Sequence, residues 1–496
     1  MANELQSAPS DILDTPEAAR AVVRGGVWRV GSYVGANLLA VGMAAILVRY
    51  LGVRGLGRYA TVVSVATLVS GVFEAGLGNL GVREAAVLHG AERDAFLRSL
   101  LGLRILVGVA GIFVAVAVAV ALGYSRVMVE GVAVAGTGIL VYTLQTHYAT
   151  ALQVELRLAE YSVIDLVRQA ILTALVGIFV LLDFELLALL AAPIPTNLVL
   201  VVVTVWLVRR TMPLTASFAV RTWRALVGRS LAVAAATATA VVYSQIAIVL
   251  MSVVSTQTQT SLFAASFRVF AVLAAIPGML VASVLPILSR AARGSRDRLY
   301  VGLQRTCDVA TVLGAGLAAL TVVGAPVAIA VVAGSEFDGS IDVLRLHGAA
   351  LLPTSVIAFA GYGLMSLGAF RTILACNLVG LAITAALASV LGAADGATGA
   401  AIGNLSGESA LALLYVTAIA RRGFHLRWRI PLLACLAGGA AVAAGLATPL
   451  AAVVKLLVAA AVFGALTLRL GLVPSELRGA FPALPAPLRR ARASSR

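Results

Sequence analysis

Long apolar runs separated by short polar stretches dominate the chain, and they lack the every-second-residue alternation that a membrane β-strand shows. A helix needs about 20 apolar residues to cross about 30 Å of hydrocarbon. Runs of that kind fall at 27–47, 59–80, 99–121, 129–151, 161–182 and 186–208. A second series follows at 230–252, 262–288, 306–333, 345–368, 372–392 and 397–420, with two more at 430–448 and 452–472. The pattern predicts an all-α polytopic membrane protein of about fourteen transmembrane helices. The ninth run is long and carries Pro326, where a bend is expected. Thr15-Pro16-Glu17 reads as a helix start, with a short helix expected on the membrane surface before the first span.

The pattern also divides. Arg58-Tyr59-Ala60-Thr61-Val62-Val63-Ser64 opens the second run, and Leu262-Phe263-Ala264-Ala265-Ser266-Phe267 opens the eighth, 204 residues later. Six spans return a chain to its starting side, so repeated six-helix halves would be parallel, related by an axis along the membrane normal. The expected organisation is a cytosolic segment 1–24, a six-helix bundle 25–228, a second pseudo-symmetric six-helix bundle 229–425, two extra helices in 426–475 and a basic cytosolic tail 476–496.

Composition sharpens this picture. Of 496 residues, 61% are hydrophobic and only 12% charged, against about 25% charged in soluble domains. The net charge of +15 rests almost wholly on arginine, since Lys455 is the one lysine. With the N-terminus in the cytosol, 28 arginines fall in inner segments and four (Arg49, Arg54, Arg58 and Arg126) in outer loops. That split places both termini in the cytosol of a cell membrane, and it explains the charge without nucleic acid. The first 19 residues carry four acids and no base, the reverse of a cleavable signal. Cys307, Cys376 and Cys435 lie in apolar segments and show no metal-ligand spacing, so they are expected to be small core residues. Outer loops of a dozen residues or fewer leave no room for an extramembrane catalytic domain, and a transporter rather than an enzyme is expected.

Polar residues inside the spans carry the chemistry, because each charge at mid-membrane costs about 2.5–3.5 kcal/mol on insertion scales. Arg268 lies well inside the eighth span and reads either as a snorkelling side chain or as a fixed cation facing an anionic substrate. Glu408 in the twelfth span and Glu74 in the second read either as sites for a coupling proton or cation or as partners of buried arginines. Asp165 and Arg168 share a helix face three residues apart, which favours mutual neutralisation. Arg29 and Arg104 lie near inner span ends, where snorkelling is the default. Gln245, Asn377 and His147 are expected to be packing or interhelical hydrogen-bonding groups. Gly31-x-x-x-Gly35 suggests a close packing face, whereas Gly76-x-Gly78-x-x-Gly81 ends an apolar helix and is no dinucleotide site.

Three stretches resemble the polysaccharide exporter (Wzx-like flippase) branch of the multidrug/oligosaccharidyl-lipid/polysaccharide (MOP) superfamily. The first is Val48-Arg49-Tyr50-Leu51-Gly52 with Gly55-Leu56-Gly57-Arg58-Tyr59-Ala60 and Glu74-Ala75-Gly76-Leu77-Gly78. The second runs from Ala151-Leu152-Gln153 through Arg157-Leu158-Ala159-Glu160-Tyr161. The third joins Asn377-Leu378-Val379-Gly380-Leu381 to Gly399-Ala400-Ala401 and Glu408. The chain departs from the pattern at Tyr243-Ser244-Gln245, where family members often carry an Asp.

The resemblance implies a flippase that moves a polyprenyl-diphosphate-linked oligosaccharide between leaflets by alternating access, for surface polysaccharide biosynthesis. Arg268, Arg29 and Gln245 are then the candidate substrate-cavity residues, and Glu74, Glu408 and Asp165 the candidates for coupling. No cofactor is implied beyond a coupling proton or sodium ion. The partners implied are the lipid-linked substrate, membrane lipids and a polysaccharide polymerase. Alternatives are a drug/cation antiporter of the same superfamily, which predicts an acidic cavity, and a lipid II flippase. A polytopic glycan polymerase needs a sizeable outer loop that the chain lacks, and a membrane scaffold would leave the buried charges without purpose.

Overall fold

A computed structural model describes residues 16–155 and 157–472, with side chains from residue 31 onward apart from short stretches, chiefly 220–222 and 224–233. Its first half comprises helices α1 (Pro16–Glu74), α2 (Leu77–Ala85), α3 (Gly90–Ala121), α4 (Arg126–Val154), α5 (Leu158–Leu181), α6 (Leu186–Ala191) and α7 (Pro193–Val208). The second half comprises α8 (Val220–Val254), α9 (Gln257–Gly294), α10 (Arg296–Val332), α11 (Ser340–Ser366), α12 (Phe370–Ala420), α13 (Arg429–Ala447) and α14 (Ala452–Arg469), with one 3-10 turn at Ser335–Phe337. Among the described residues there is no strand.

Twelve helical segments are long and apolar enough to cross a membrane, and two of them, Gly35–Ala85 and Phe370–Ala420, contain 51 residues each. A straight helix of that length would extend about 77 Å, more than twice the hydrocarbon thickness. Both turn back at a glycine with positive φ, Gly52 (φ 59°) and Gly396 (φ 60°), a region that a residue bearing Cβ enters only at a steric penalty. Fourteen crossings therefore result, as the hydropathy pattern predicts.

The two arms of α12 form a tight antiparallel hairpin. Gly380 faces Leu411, Gly407 faces Thr384, Gly403 faces the backbone at Leu387 and Ala388, and Gly399 faces Leu391. Tyr415 donates to Asn377 Oδ1 across the same pair at 2.6 Å. Small residues let the backbones approach where lipid gives no hydrophobic drive for association. The α1 arms separate instead: Leu47 clusters with Val176 of α5 and Leu189 of α6, while Val62, Val65 and Ala66 pack on α3 and α4.

Helices up to α7 pack on one another, α8 to α12 do the same, and the two groups meet where α1 runs against α8 and α9. The added pair α13–α14 leans on α10. The repeated stretches meet at that seam. Ala60 packs with Phe263 and Ala264, Gly57 lies against Gln257 and Ser261, and Ser261 donates to the Val53 carbonyl.

Three local expectations change. Helix α1 is continuous from Pro16 up to Gly52, so among the described residues no separate surface helix precedes the first span. The second span ends at Glu74, where Gly76 (φ 78°) breaks the helix before α2. Gly35 contacts Leu166 of α5, but Gly31 faces open space, so the two do not form one packing face.

Gly403→Val should force the α12 arms apart and lower stability by about 3 kcal/mol. Gly439→Ala, at a position with nothing within 4 Å of an added Cβ, should be neutral or slightly stabilising. Thermal unfolding of the detergent-solubilised variants distinguishes the two.

Candidate functional site

The polar residues of the spans gather into two clusters, one in each half, with Arg268 on the seam between them. In the first half, Glu74 at the end of α1 forms an ion pair with Arg104 of α3, whose Nε lies 2.7 Å from Glu74 Oε1. The Arg104 side chain is 4% exposed and that of Glu74 25%. Arg104 therefore does not snorkel as expected. It is held against Gly78, where a larger residue would collide with the guanidinium.

Asp165 and Arg168 neutralise one another at 2.9 Å on the same face of α5. The Arg168 guanidinium also lies over the Tyr142 ring, 5.3 Å from its centre, so the two ion pairs converge on α4. His147 of α4 is fully buried, and neither ring nitrogen has a hydrogen-bond partner among the described residues. The expectation of a satisfied packing histidine fails for that reason.

In the second half, Glu408 of α12 is buried and accepts a hydrogen bond from Thr354 of α11 at 2.9 Å. The hydroxyls of Tyr243 on α8 and Thr384 on the other α12 arm are buried and have no hydrogen-bond partner among the described residues. Glu408 has no basic partner among the described residues, in contrast to Glu74. A buried carboxylate with one hydroxyl donor and no base is suited to one proton or one small cation. Asn377 and Tyr415 bond one another nearby, as expected of an interhelical pair.

Arg268 projects from α9, half-buried, and its guanidinium lies over the Tyr59 ring of α1 at 5.3 Å. It has no carboxylate partner among the described residues. Its helix is fixed to α11 by buried His347, whose Nδ1 is 2.6 Å from Ser266 Oγ inside a box of Phe263, Phe267 and Phe270. Among the described residues Gln245 bonds only its neighbour Ser244, at 3.4 Å, so it links no helices there. The side chain of Arg29 lies outside the described residues. The five described candidates do not form one constellation.

Polar contacts cross the seam at both ends: Trp223 of α8 donates to the Ser99 carbonyl of α3 at 2.9 Å at the arginine-rich end, and several side chains cross at the arginine-poor end. Arg49 donates to the carbonyls of Ala330 and Val331 at the end of α10, at 3.1 and 2.6 Å. Arg58 donates to Gln257 at 3.0 Å, and Tyr124 and Ser252 share a hydrogen bond of 2.6 Å. Tyr50 turns the other way and bonds Asp183 at 2.8 Å. Tyr59, Thr354 and His347 were not legible as neighbours of the charged candidates or their helices, because aromatic and hydroxyl residues in apolar helices give no sequence signal. Arg104 was legible as a charge but not as the partner of Glu74.

The bundle of apolar helices in two packed halves has the fold of solved transporters of the MOP superfamily. The fold resembles that of a lipid II flippase in an inward closed conformation, with a TM-score of 0.74 and 12% identity over 89% of this chain and 98% of the other. It also resembles an inward-facing multidrug resistance transporter of the same superfamily (TM-score 0.63, 13% identity, 78% and 94% covered). A MOP transporter from Pyrococcus furiosus, described as having a binding pocket of reversed polarity, matches with a TM-score of 0.53 and 15% identity over 80% and 92%. No curated protein matches in sequence. The polysaccharide biosynthesis protein family model matches residues 46–342, and the chain belongs to that family.

Arg104→Ala should leave Glu74 as an uncompensated carboxylate and destabilise the protein by about 3 kcal/mol. Arg104→Met with Glu74→Gln should recover most of that loss in a thermal-unfolding cycle. Equal losses in the single and double variants would contradict the pairing.

Proposed function

We propose that the protein is a flippase that moves a polyprenyl-diphosphate-linked oligosaccharide from the inner to the outer leaflet for surface polysaccharide assembly. The observation that carries this reading is Arg268. It is a cation without a carboxylate partner on the seam between the halves of a polysaccharide-biosynthesis family member. A diphosphate cannot cross hydrocarbon unaided, and a guanidinium meets phosphate oxygens through a rigid two-pronged fork. In this reading the arginine-rich end and both termini face the cytosol, the protein sits in the plasma membrane, and it catalyses no bond change.

With the arginine-poor end closed, substrate enters from the cytosolic leaflet and its diphosphate displaces Tyr59 from the Arg268 guanidinium. Losing that contact loosens the seam where Arg58, Tyr124 and Arg49 cross it, so the halves rock and expose the site outward. Glu408, with Thr354, is the group through which a proton or sodium gradient drives the return. The ion-paired Glu74 and Asp165 serve structure in this scheme. A polymerase that consumes the flipped oligosaccharide is the implied partner.

Cells lacking the gene should accumulate a diphosphate-linked oligosaccharide and lose surface polysaccharide. Arg268→Ala should fail to restore either at normal expression, and Arg268→Lys should restore them in part. Unchanged lipid-linked pools with increased sensitivity to cationic drugs would favour a drug antiporter instead. Accumulated lipid II would point to peptidoglycan precursor transport.

Glu408→Gln should abolish the dependence of transport on the driving ion while leaving the solubilised protein folded. Uptake measured in proteoliposomes with and without an imposed gradient checks this. Undiminished ion dependence would remove Glu408 from the coupling step.

A further inference from the structure

A second polar site lies apart from the seam, where α13 and α14 join the bundle. A cavity of about 420 Å³ opens between α10, the segment leading into α13 and the end of α14. Arg427, Arg429, Gln304 and Asp308 line one side, and Leu433 and Leu472 the other. The segment is fixed in place. Gln304 accepts from the Arg427 amide at 2.7 Å and donates to the Arg427 carbonyl at 2.9 Å, and Tyr300 donates to the His425 carbonyl at 3.0 Å.

Both arginines are exposed, and neither forms an ion pair among the described residues. They flank the start of α13, whose first amides and helix dipole add positive potential. Asp308 lies on the same wall, half-buried and bonded to Gln304 at 2.9 Å. Trp428, between the arginines and 40% exposed, is the residue type that settles at headgroup level.

From this arrangement, we infer that the cavity binds a phospholipid with an ethanolamine headgroup from the leaflet at the arginine-rich end. Phosphate oxygens take the Arg427 and Arg429 forks and the α13 amides, and the ammonium donates to Asp308. The acyl chains begin on Leu433 and Leu472. A purely anionic headgroup leaves Asp308 facing like charge, and a choline headgroup has no N–H to give it. The chain beyond Leu472 does not fit this site by charge, since it carries five arginines and one Glu. The bound lipid fills the joint by which α13–α14 lean on α10.

Native mass spectrometry of the full-length protein against acyl-matched ethanolamine, N-methylated, choline and glycerol phospholipids tests the site. Unmutated protein should retain the ethanolamine lipid about tenfold over the choline lipid, the worth of one hydrogen bond to a charged group. Retention should fall along the methylation series. Asp308→Asn should level ethanolamine with choline, and the Arg427→Ala/Arg429→Ala pair should release all four. Equal retention across the series by unmutated protein would overturn the inference without reliance on any variant. So would an ethanolamine preference that survives Asp308→Asn.

Discussion

Hydrocarbon offers no hydrogen-bond partner, and every other feature of this protein follows from that constraint. Backbone amides and carbonyls must pair within their own segment, so each crossing is a helix. Where two crossings follow one another without a loop, the reversal falls at a glycine, Gly52 or Gly396, that can take a left-handed conformation. The same constraint acts on side chains. Arg104 and Asp165 each lie against an opposite charge, Glu74 and Arg168 respectively. Arg268 and Glu408 each stand without one among the described residues, and these two carry the functional reading.

The seam gives that reading its geometry. Equivalent segments of the two halves, around Tyr59 and Phe263, pack together rather than lying at distant sites. Residues of the first half reach carbonyls and side chains of the second at the arginine-poor end (Arg49 to α10, Arg58 to Gln257 and Tyr124 to Ser252), and Trp223 of α8 donates to the Ser99 carbonyl of α3 at the other.

The helix content and the fourteen crossings were legible because apolar run length reports directly on membrane thickness. The candidate site was legible only as charges. Glu74 and Arg104 are 30 residues apart in sequence, and nothing in the sequence says that one neutralises the other. Asp165 and Arg168 were readable as a pair because three residues bring side chains to one helix face. Gln245 was singled out for its position in the seventh span, but it is the Tyr243 hydroxyl, two residues earlier, that is buried. The choice between helix faces is made by tertiary packing. Likewise the apolar run 59–80 carries on past Glu74, yet the positive φ of Gly76 ends the helix and sets Glu74 at a terminus.

The central claim is that this bundle carries a lipid diphosphate across the bilayer on the Arg268 guanidinium. Its most direct test is reconstitution of purified protein into liposomes with a lipid-diphosphate oligosaccharide in both leaflets, followed by an impermeant enzyme that trims only outward-facing sugar. The account predicts that unmutated protein renders nearly all of the pool accessible, whereas Arg268→Ala leaves about half protected, as in protein-free vesicles. A pool that stays half protected with folded, unmutated protein would contradict it, and so would full access with Arg268→Ala.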